Sequence, residues 1–504
     1  MSANYELGRE AVDITGAKSI VRPVIGIVTY EEMARCLGWP EKELGFADII
    51  ALRDDPDGWA SYPCAKASWG QQPLLAFTDP TTSSTGRSLH LSLYSIGAGK
   101  NPEDLTVEDV IDPKVVEYVE KFQSLIDHYL IGTTVLNTKI HQGKKFGHFF
   151  VMPEDNLIHL YEGTERAYIN GEKTTAPPIT ESMVMIYPKE GSMPRNNCAC
   201  IVDAEWVTPQ QVEASKVWID YIREDENQRA FTAFGFRPGT DIPLDDPASK
   251  ITSEFGLNPN PPRVVLNPSL THPEVAAAID ENWIHVKRPG IVNFVVDTSG
   301  SMSGEKLRQA KEGLTKALDS MASNNRVGFI SFSDEVYDGA SIAPLSENRF
   351  QIASAIDGIR ADGGTALYDA IRTGIKMVDR AEGDEDAIRA IVVLTDGQAN
   401  KGTFNLDDIV VMSSSSEVLI REFSGLQKDS YGVDELGFRV VKENIIGSSL
   451  SVSTQHEVQI FFIGIGDDAD IQVGRILAGA TSAEFQGVAE DDLATLLEEF
   501  SKYF

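Results

Sequence analysis

Positive charge is scarce in this chain of 504 residues. Lysine and arginine together number 44, against 76 aspartate and glutamate residues, and the formal net charge is -32 at pH 7. Nucleic acids and anionic membrane surfaces would be repelled by a protein of this charge. We therefore expect neither as a partner, and we interpret the acidity as a source of solubility.

Long apolar runs are also missing. No stretch has the uninterrupted apolar length of a transmembrane helix, so the sequence predicts no membrane span in this chain. The first residues, MSANYELGREAVDITGAKS, show neither the charged-then-apolar pattern of an export signal nor a lipobox cysteine. If Met1 is the true start, the sequence predicts a cytoplasmic protein. If the chain is truncated at its N-terminus, we expect an extracytoplasmic or cell-envelope location.

Cysteine is rare, with four residues in the chain. Cys198 and Cys200 lie two positions apart, which is poor geometry for a bridge between them, and no further Cys or His lies nearby in the sequence to complete a metal site. Whether Cys36 and Cys64 pair is left open by the sequence. We interpret all four side chains as buried thiols.

Oxygen-bearing side chains follow three segments of the C-terminal half. The apolar run in IVNFVVDTSGSMSG leads into Asp297, Ser299 and Ser301. Thr365 ends the turn ADGGT, and Asp396 follows the apolar run AIVVLT. The D-x-S-x-S pattern alone is weak, because Asp and Ser are ordinary turn residues. Open α/β sheets bind ligands where their strands end, so three such segments together predict a site for a divalent cation.

In this order, the five residues resemble the metal-ion-dependent adhesion site of the von Willebrand factor type A (VWA) domain family. The resemblance implies a Rossmann-like fold and bound Mg2+, with Mn2+ or Ca2+ as alternatives. It also implies a protein partner that supplies an Asp or Glu carboxylate to the ion. The donor chemistry agrees, since Ser299, Ser301 and Thr365 are neutral and leave the ion with positive charge for an incoming anion.

The rest of residues 290–504 alternates strand-like and helix-like segments. GIVNFVV is suited to a strand buried on both faces, and a helix over SGEKLRQAKEGLTKALDSM follows it. Strands over NRVGFISFSD, AIRAIVVLTDG and VQIFFIGIGDD and a closing helix over DDLATLLEEFSKYF predict a doubly wound parallel sheet in an α/β domain. Residues 402–456 are too long for an ordinary connection, so we predict an insertion with a helix around 433–446 and a flexible SSSS linker.

The N-terminal half carries a second candidate site. A short strand precedes DPTTSSTG and a helix follows it, which makes Thr82, Ser83, Ser84 and Thr85 candidate ligand-binding residues. Hydroxyls and backbone N–H groups at a helix start suit an oxyanion or a polar ligand, with simple N-capping as the alternative. This segment, with IVRPVIGIVTYEEMARCLGWPEKELGFADIIAL before it and ITESMVMIYPKEGSM after it, resembles the type II periplasmic solute-binding proteins.

That resemblance covers residues 18–240 and implies an α/β domain that binds a small solute or oxyanion. Residues 202–238 are similar to the closing helical segment of the family, with a predicted buried helical face that includes Val217, Trp218 and Ile219. Family members begin with most of one lobe before the segment that resembles IVRPVIGIVTY. Only residues 1–19 precede it here, so we expect that most of the first lobe is absent and that the chain is truncated.

We therefore predict a partial solute-binding-like domain over residues 1–240, a linker and short helix over 241–289, and a VWA domain over 290–504. The linker contains NPNPPRVV, which predicts a semi-rigid spacer. The segment HPEVAAAIDENWIHV predicts a short helix that leads into the first strand of the C-terminal domain.

The predicted function is non-enzymatic binding through the metal site, coupled to a solute-binding-like domain. A metal-dependent hydrolase is less favoured, because hydrolysis needs a general base near the ion and no His lies in 291–304, 361–369 or 391–401. A cytoplasmic assembly or chaperone-like subunit is the alternative. The missing export signal favours that alternative, whereas the solute-binding resemblance opposes it.

Overall fold

The computed structural model of this chain describes residues 16–504, apart from 170–171, 192, 262–265, 384–386, 414–430, 434–438, 442–455, 467–468, 482, 484 and 489–491. The chain divides into two compact units. One contains the residues up to 168 together with 173–287, and the other contains 169–172 and 288–504. The domain boundaries drawn from the sequence, with a linker over 241–289, stay a prediction.

The strands up to residue 199 are β1 (Lys18–Val21), β2 (Val24–Tyr30), β3 (Leu75–Thr78), β4 (Ile126–Leu130), β5 (Phe149–Pro153), β6 (Arg166–Ile169), β7 (Glu172–Thr175), β8 (Met183–Ile186), β9 (Met193–Pro194) and β10 (Asn197–Ala199). The helices of the same half are α1 (Glu31–Cys36), α2 (Phe46–Asp54), α3 (Ser84–Ala98), α4 (Val107–Val110), α5 (Pro113–Gln123), α6 (Thr133–Lys139), α7 (Glu154–Glu162), α8 (Pro209–Ile222), α9 (Asp225–Thr232) and α10 (Pro273–Val286).

The main sheet of the first unit has the strand order β4-β3-β5-β2-β8, with β9 also paired to β2. β3 runs parallel to β4 and β5, whereas β2 runs antiparallel to β5 and β8. Every residue of β2, β3 and β5 is buried, as their apolar sequences require. The parallel strands bring the starts of α3, α6 and α7 to one edge of this sheet.

Helix α10 packs into the first unit. Its Trp283 side chain is 4% exposed and contacts the rings of Phe77, His90 and Tyr129. The helix is also tied to α3, where an ion pair joins Arg87 to Asp280. The predicted helix before the second domain is therefore present, and its apolar face belongs to the core of the first unit.

The buried face predicted for α8, which comprised Val212, Ser215, Val217, Trp218, Ile219 and Ile222, is buried only at Ile219. Val212, Ser215 and Ile222 are half-buried. Ile219 is buried, but Val217 is 67% exposed and Trp218 is 58% exposed. The spacing of apolar residues locates the apolar face of a helix, whereas burial also requires a second element to cover that face.

The interpretation of the cysteines as buried thiols is also wrong, whereas the pairing that the sequence leaves open is present. Cys36 and Cys64 form a disulfide, with their Cα atoms 5.6 Å apart. Cys198 and Cys200 are exposed free thiols. They lie on and beside β10, which pairs with β1 in a two-stranded sheet.

The second unit contains strands β11 (Gly290–Asp297), β12 (Arg326–Phe332), β13 (Val336–Pro344), β14 (Ile388–Thr395), β15 (Tyr431–Val433), β16 (Arg439–Val441), β17 (Gln459–Ile465) and β18 (Phe485–Val488). Its helices are α11 (Glu305–Ser320), α12 (Leu345–Gly358), α13 (Leu367–Arg380), α14 (Leu406–Ser413), α15 (Ile471–Ala480) and α16 (Leu493–Phe500). No helix in the described part of either unit is long and apolar enough to cross a bilayer.

The sheet of the second unit has the order β13-β12-β11-β14-β17-β18, and every pairing except β12 with β13 is parallel. Helices cover both faces. Phe462 belongs to the apolar cluster formed with α13 and α15, whereas the neighbouring Phe461 contacts Phe500 and Phe504. Successive strand residues point to opposite faces, so the doubly wound α/β class is confirmed.

The insertion after β14 is described only in part. α14 occupies its start, and β15 pairs antiparallel with β16. The two strands occupy part of the range in which a helix was predicted. Residues 434–438 and 442–455 of that range, and residues 414–416 of the SSSS segment, lie outside the described residues.

Candidate functional site

The predicted metal ligands lie at one edge of the six-stranded sheet. Asp297 is the last residue of β11, and Asp396 directly follows β14, which pairs in parallel with β11. Parallel neighbours end at the same edge, so the two carboxylates are brought together by the sheet itself. Both residues are buried, with exposures of 0% for Asp297 and 1% for Asp396.

The Asp297 carboxylate is oriented by hydrogen bonds to both oxygens. Ser299 N donates to Oδ1 at 2.7 Å, and Thr395 Oγ1 donates to Oδ2 at 2.6 Å. Burial raises the pKa of the Asp297 carboxyl, and the nearby Asp396 adds to the rise, while the bonds from Thr395 and Ser299 oppose it. Two buried anions side by side therefore disfavour each other in the absence of a compensating cation.

Asp396 is held by a hydroxyl and by an ammonium group. Ser301 Oγ donates to Oδ1 at 2.8 Å, and Lys306 Nζ donates to Oδ2 at 2.7 Å. Ser301 Oγ is also 3.0 Å from Ser299 Oγ. A continuous line of contacts therefore runs from Ser299 through Ser301 and Asp396 to Lys306.

Thr365 reaches the same place from the turn before α13. A Cβ atom built on Gly397 would lie 3.8 Å from Thr365 Oγ1 and 3.9 Å from Ser301 Oγ, so both hydroxyls border the space beside Gly397. Backbone bonds fix the turn, because Gly300 N donates to Gly363 O at 3.1 Å and Thr365 N donates to Asn400 Oδ1 at 2.9 Å. All five predicted side chains thus surround one small region.

Sequence reasoning missed three residues that shape this region. Thr395 orients Asp297, Asn400 holds the Thr365 turn, and Lys306 pairs with Asp396. Thr395 and Asn400 are polar residues close to Asp396 in the sequence, and that proximity is a signal for a role at the same site. Lys306, at the start of an amphipathic helix, looks like an ordinary solvent-facing lysine.

The residues suit a hard divalent cation. Carboxylate and hydroxyl oxygens are the donors that Mg2+ and Ca2+ prefer. The two buried carboxylates have Lys306 as the one cation paired with them among the described ion pairs, which leaves a net negative charge in the cluster. Among the residues that the structure describes, no group of three or more His, Cys, Asp or Glu could hold a metal.

The candidate ligand residues of the first unit have different roles. Ser83 Oγ accepts a hydrogen bond from Gly86 N at 3.3 Å and so caps α3. Thr82 and Ser84 are exposed. Thr85 is 1% exposed, and its hydroxyl has no hydrogen-bond partner within the described parts of the chain. Capping therefore accounts for one of the four residues, and the two exposed hydroxyls are accessible to a ligand.

An ion pair lies directly before this helix start. Asp79 Oδ1 accepts a bond from Thr81 N at 2.8 Å, and Asp79 Oδ2 is 3.4 Å from Lys287 Nζ. Lys287 also lies over the rings of Tyr129 and Trp283. The buried ion pair of Asp79 with Lys287 thus anchors the start of the DPTTSSTG loop.

Comparison with known proteins matches the second unit. Residues 292–398 match the family model for the von Willebrand factor type A domain. A segment of 137 residues is 35% identical to inter-alpha-trypsin inhibitor heavy chain H4 of Sus scrofa and covers 26% of this chain and 14% of that protein. The same heavy chain of Homo sapiens is 37% identical over 123 residues, which is 23% of this chain and 13% of that protein.

A solved structure described as von Willebrand factor type A from Catenulispora acidiphila aligns with a TM-score of 0.32 and 18% identity, over 43% of this chain and 42% of that chain. The chain spans only 14% of the pig heavy chain and 13% of the human one. The family model lies wholly within the second unit and includes both carboxylates of the site. The second unit of this chain therefore contains a von Willebrand factor type A domain.

Proposed function

We propose that this chain is a non-enzymatic binding protein that captures a protein partner through a divalent ion in its VWA domain. Mg2+ is the proposed ion, with Mn2+ or Ca2+ as alternatives. The observation that carries the proposal is the direct contact of Ser299, Ser301 and Asp396 beside the oriented carboxylate of Asp297. The proposed ligands are Asp297, Ser299, Ser301, Thr365 and Asp396.

The residues of the site have separable tasks. Ser299 N and Thr395 Oγ1 fix the orientation of the Asp297 carboxylate before any ion arrives. Asn400 fixes the turn that presents Thr365. A bound divalent ion would supply a Lewis-acidic centre for a carboxylate. The two carboxylates balance the charge of such an ion and the other three donors are neutral, so Lys306 leaves the loaded site with excess positive charge. An Asp or Glu of a partner then completes the coordination.

The site chemistry opposes a hydrolytic function. Hydrolysis needs a general base within hydrogen-bond reach of an attacking water. Both carboxylates already accept hydrogen bonds from neighbouring groups, and the three ligand segments contain no histidine. A binding role therefore fits these residues better than a catalytic one.

Peptide arrays test the proposed function. Peptides that contain Asp or Glu are compared with matched peptides that contain Asn or Gln, in Mg2+ and in EDTA. We expect retention of a subset of acidic peptides in Mg2+, release by EDTA, and loss of retention in Thr365→Ala. Thr373→Ala is the matched control, because Thr373 Oγ1 bonds to Asp369 O within α13. Retention that survives EDTA, or that is equal for the amide peptides, would contradict the proposal.

We further propose that the first unit binds a small solute or oxyanion at the start of α3, as the solute-binding-like resemblance implies. The supporting observations are the exposed hydroxyls of Thr82 and Ser84 at the edge where the parallel strands end. A thermal-shift screen of oxyanions, sugars and peptides should find a compound whose effect is weakened by Ser84→Ala. Ser84 is the better variant, since Ser83 also caps the helix. A hit that Ser84→Ala leaves unchanged would reject this site.

A further inference from the structure

Lys306 lies inside the proposed metal site. It is the second residue of α11, and its Nζ is 2.7 Å from Asp396 Oδ2. The Lys306 side chain is 16% exposed and the Asp396 side chain is 0% exposed. An ion pair on the protein surface contributes little to stability. The Lys306–Asp396 pair is buried, so its ammonium group strongly affects the electrostatic potential that any other cation meets at this carboxylate.

The lysine stem is confined as well as its head group. A Cβ atom built on Gly466, just after β17, would lie 3.9 Å from Lys306 Cε and 4.0 Å from Lys306 Nζ. The ammonium group therefore lies between Asp396, which follows β14, and Gly466, which follows β17. Both oxygens of Asp396 are engaged, one by Ser301 and the other by Lys306.

We propose that Lys306 is a resident counter-cation of the VWA metal site, which holds Asp396 in place without metal and weakens the binding of a divalent ion. This inference rests on the proposed function and adds the regulation of the same site. The positive charge of Lys306 and the ion share one carboxylate. Each therefore reduces the attraction that Asp396 offers to the other.

The same charge favours an anionic partner. Asp297 and Asp396 carry two negative charges, and Lys306 and a divalent ion together carry three positive charges. The loaded site then has a net charge of about +1, whereas without Lys306 it would be neutral. Lys306 thus lowers the affinity of the site for the ion and raises the attraction of the loaded site for a partner's carboxylate.

Calorimetric titration of the full chain with Mg2+ and with Mn2+ tests the inference. We expect Lys306→Gln to bind both ions about tenfold more tightly, or more than that, because one positive charge is removed next to the ion. Lys306→Arg keeps the charge and should bind as weakly as the natural chain. Lys316→Gln is the control, because Lys316 pairs with Glu312 on the exposed side of the same helix.

The outcomes separate this inference from the proposed function. Equal or weaker binding by Lys306→Gln, with binding by the natural chain intact, overturns the role of Lys306 and leaves the metal site standing. Tighter binding by Lys306→Gln than by the natural chain, with no change in Lys316→Gln, supports the inference. If neither protein takes up an ion, the inference and the proposed function both fall.

Thermal melting provides a second measurement, which also shows whether the Lys306→Gln variant is folded. In EDTA, Lys306→Gln should melt below the natural chain, because two buried carboxylates are left without a cation. Saturating Mg2+ should reduce or reverse that difference. The double variant Lys306→Gln, Asp396→Asn should recover the melting temperature in EDTA and show no response to Mg2+. A Lys306→Gln melt that is unchanged in EDTA and shifts with Mg2+ no more than the natural chain would contradict the inference.

Discussion

Arg237 holds Glu154 in a two-point ion pair. Arg237 Nε donates to Glu154 Oε2 at 2.7 Å, and Arg237 Nη2 donates to Oε1 at 2.8 Å. The Glu154 side chain is 0% exposed and that of Arg237 is 11% exposed. Glu154 Oε2 also accepts a bond from Val24 N at 3.0 Å. One buried carboxylate therefore ties the start of α7, the start of β2 and the segment after α9 together.

Removal of Arg237 should destabilise the first unit severely. Arg237→Met leaves Glu154 buried without its partner, and breaking a buried ion pair in this way costs about 3–5 kcal/mol. Urea denaturation of the natural chain and the variant measures the difference. Arg229→Met is the control, because Arg229 pairs with the 63% exposed side chain of Asp245, and no comparable loss is expected. Similar losses of unfolding free energy in Arg237→Met and Arg229→Met would contradict the claim that burial makes the Arg237–Glu154 pair important.

His148 should make the stability of the first unit depend on pH. Its Nδ1 accepts hydrogen bonds from Trp59 Nε1 at 3.0 Å and from Leu74 N at 3.1 Å, so it cannot carry a proton without breaking both. Burial lowers the pKa of His148 from 6.5 to about 4. The unfolded chain therefore binds a proton that the folded chain does not, once the pH falls below 6.5.

The stability contributed by neutral His148 is complete above pH 6.5 and is lost as the pH falls towards 4. His148→Gln keeps an acceptor in place and cannot titrate. We expect the natural chain to lose stability faster than this variant, by up to about 1.4 kcal/mol per pH unit. Urea denaturation at several pH values between neutrality and the folded-state pKa measures the slopes. If the stabilities of the natural chain and of His148→Gln fall equally with pH, His148 is not the cause of the loss.

The four cysteines should divide into two chemical classes. We expect Cys198 and Cys200 to react with a thiol reagent in the native chain, whereas Cys36 and Cys64 react only after their disulfide is reduced. Removal of the bridge by Cys36→Ser and Cys64→Ser should lower the stability by about 3 kcal/mol through greater freedom of the unfolded chain. The variant Cys198→Ser, Cys200→Ser should melt as the natural chain does. Four reactive thiols without reductant would contradict the pairing.

The apolar pattern was sufficient to predict four of the six strands in the main sheet of the second unit. β11, β12, β14 and β17 are runs of buried apolar residues, and such runs are visible without any tertiary information. The edge strand β13 was not predicted. Its sequence VYDGASIAP has a single buried residue, so its extended form depends on pairing with β12 rather than on its own apolar pattern.

In the candidate site, too, contacts between residues close in sequence were predictable, whereas contacts made by the tertiary fold were not. Asp297, Ser299 and Ser301 are close in sequence, and their pattern predicted a shared site only together with the Thr365 and Asp396 segments. Lys306 and Asp396 are 90 positions apart, and only the parallel pairing of β11 with β14 brings their segments to one edge. Likewise, the apolar spacing of α8 predicted a face, while the exposure of Trp218 depends on what the fold places beside it.

Titration of the purified chain with Mn2+, followed by electron paramagnetic resonance of the free ion, tests the central claim most directly. The account predicts uptake of one ion per chain, competition by Mg2+, and loss of uptake in Asp297→Ala, while Asp338→Ala on the exposed edge strand β13 retains it. Failure of the natural chain to take up either ion at millimolar concentration, or equal uptake by Asp297→Ala, would contradict the claim.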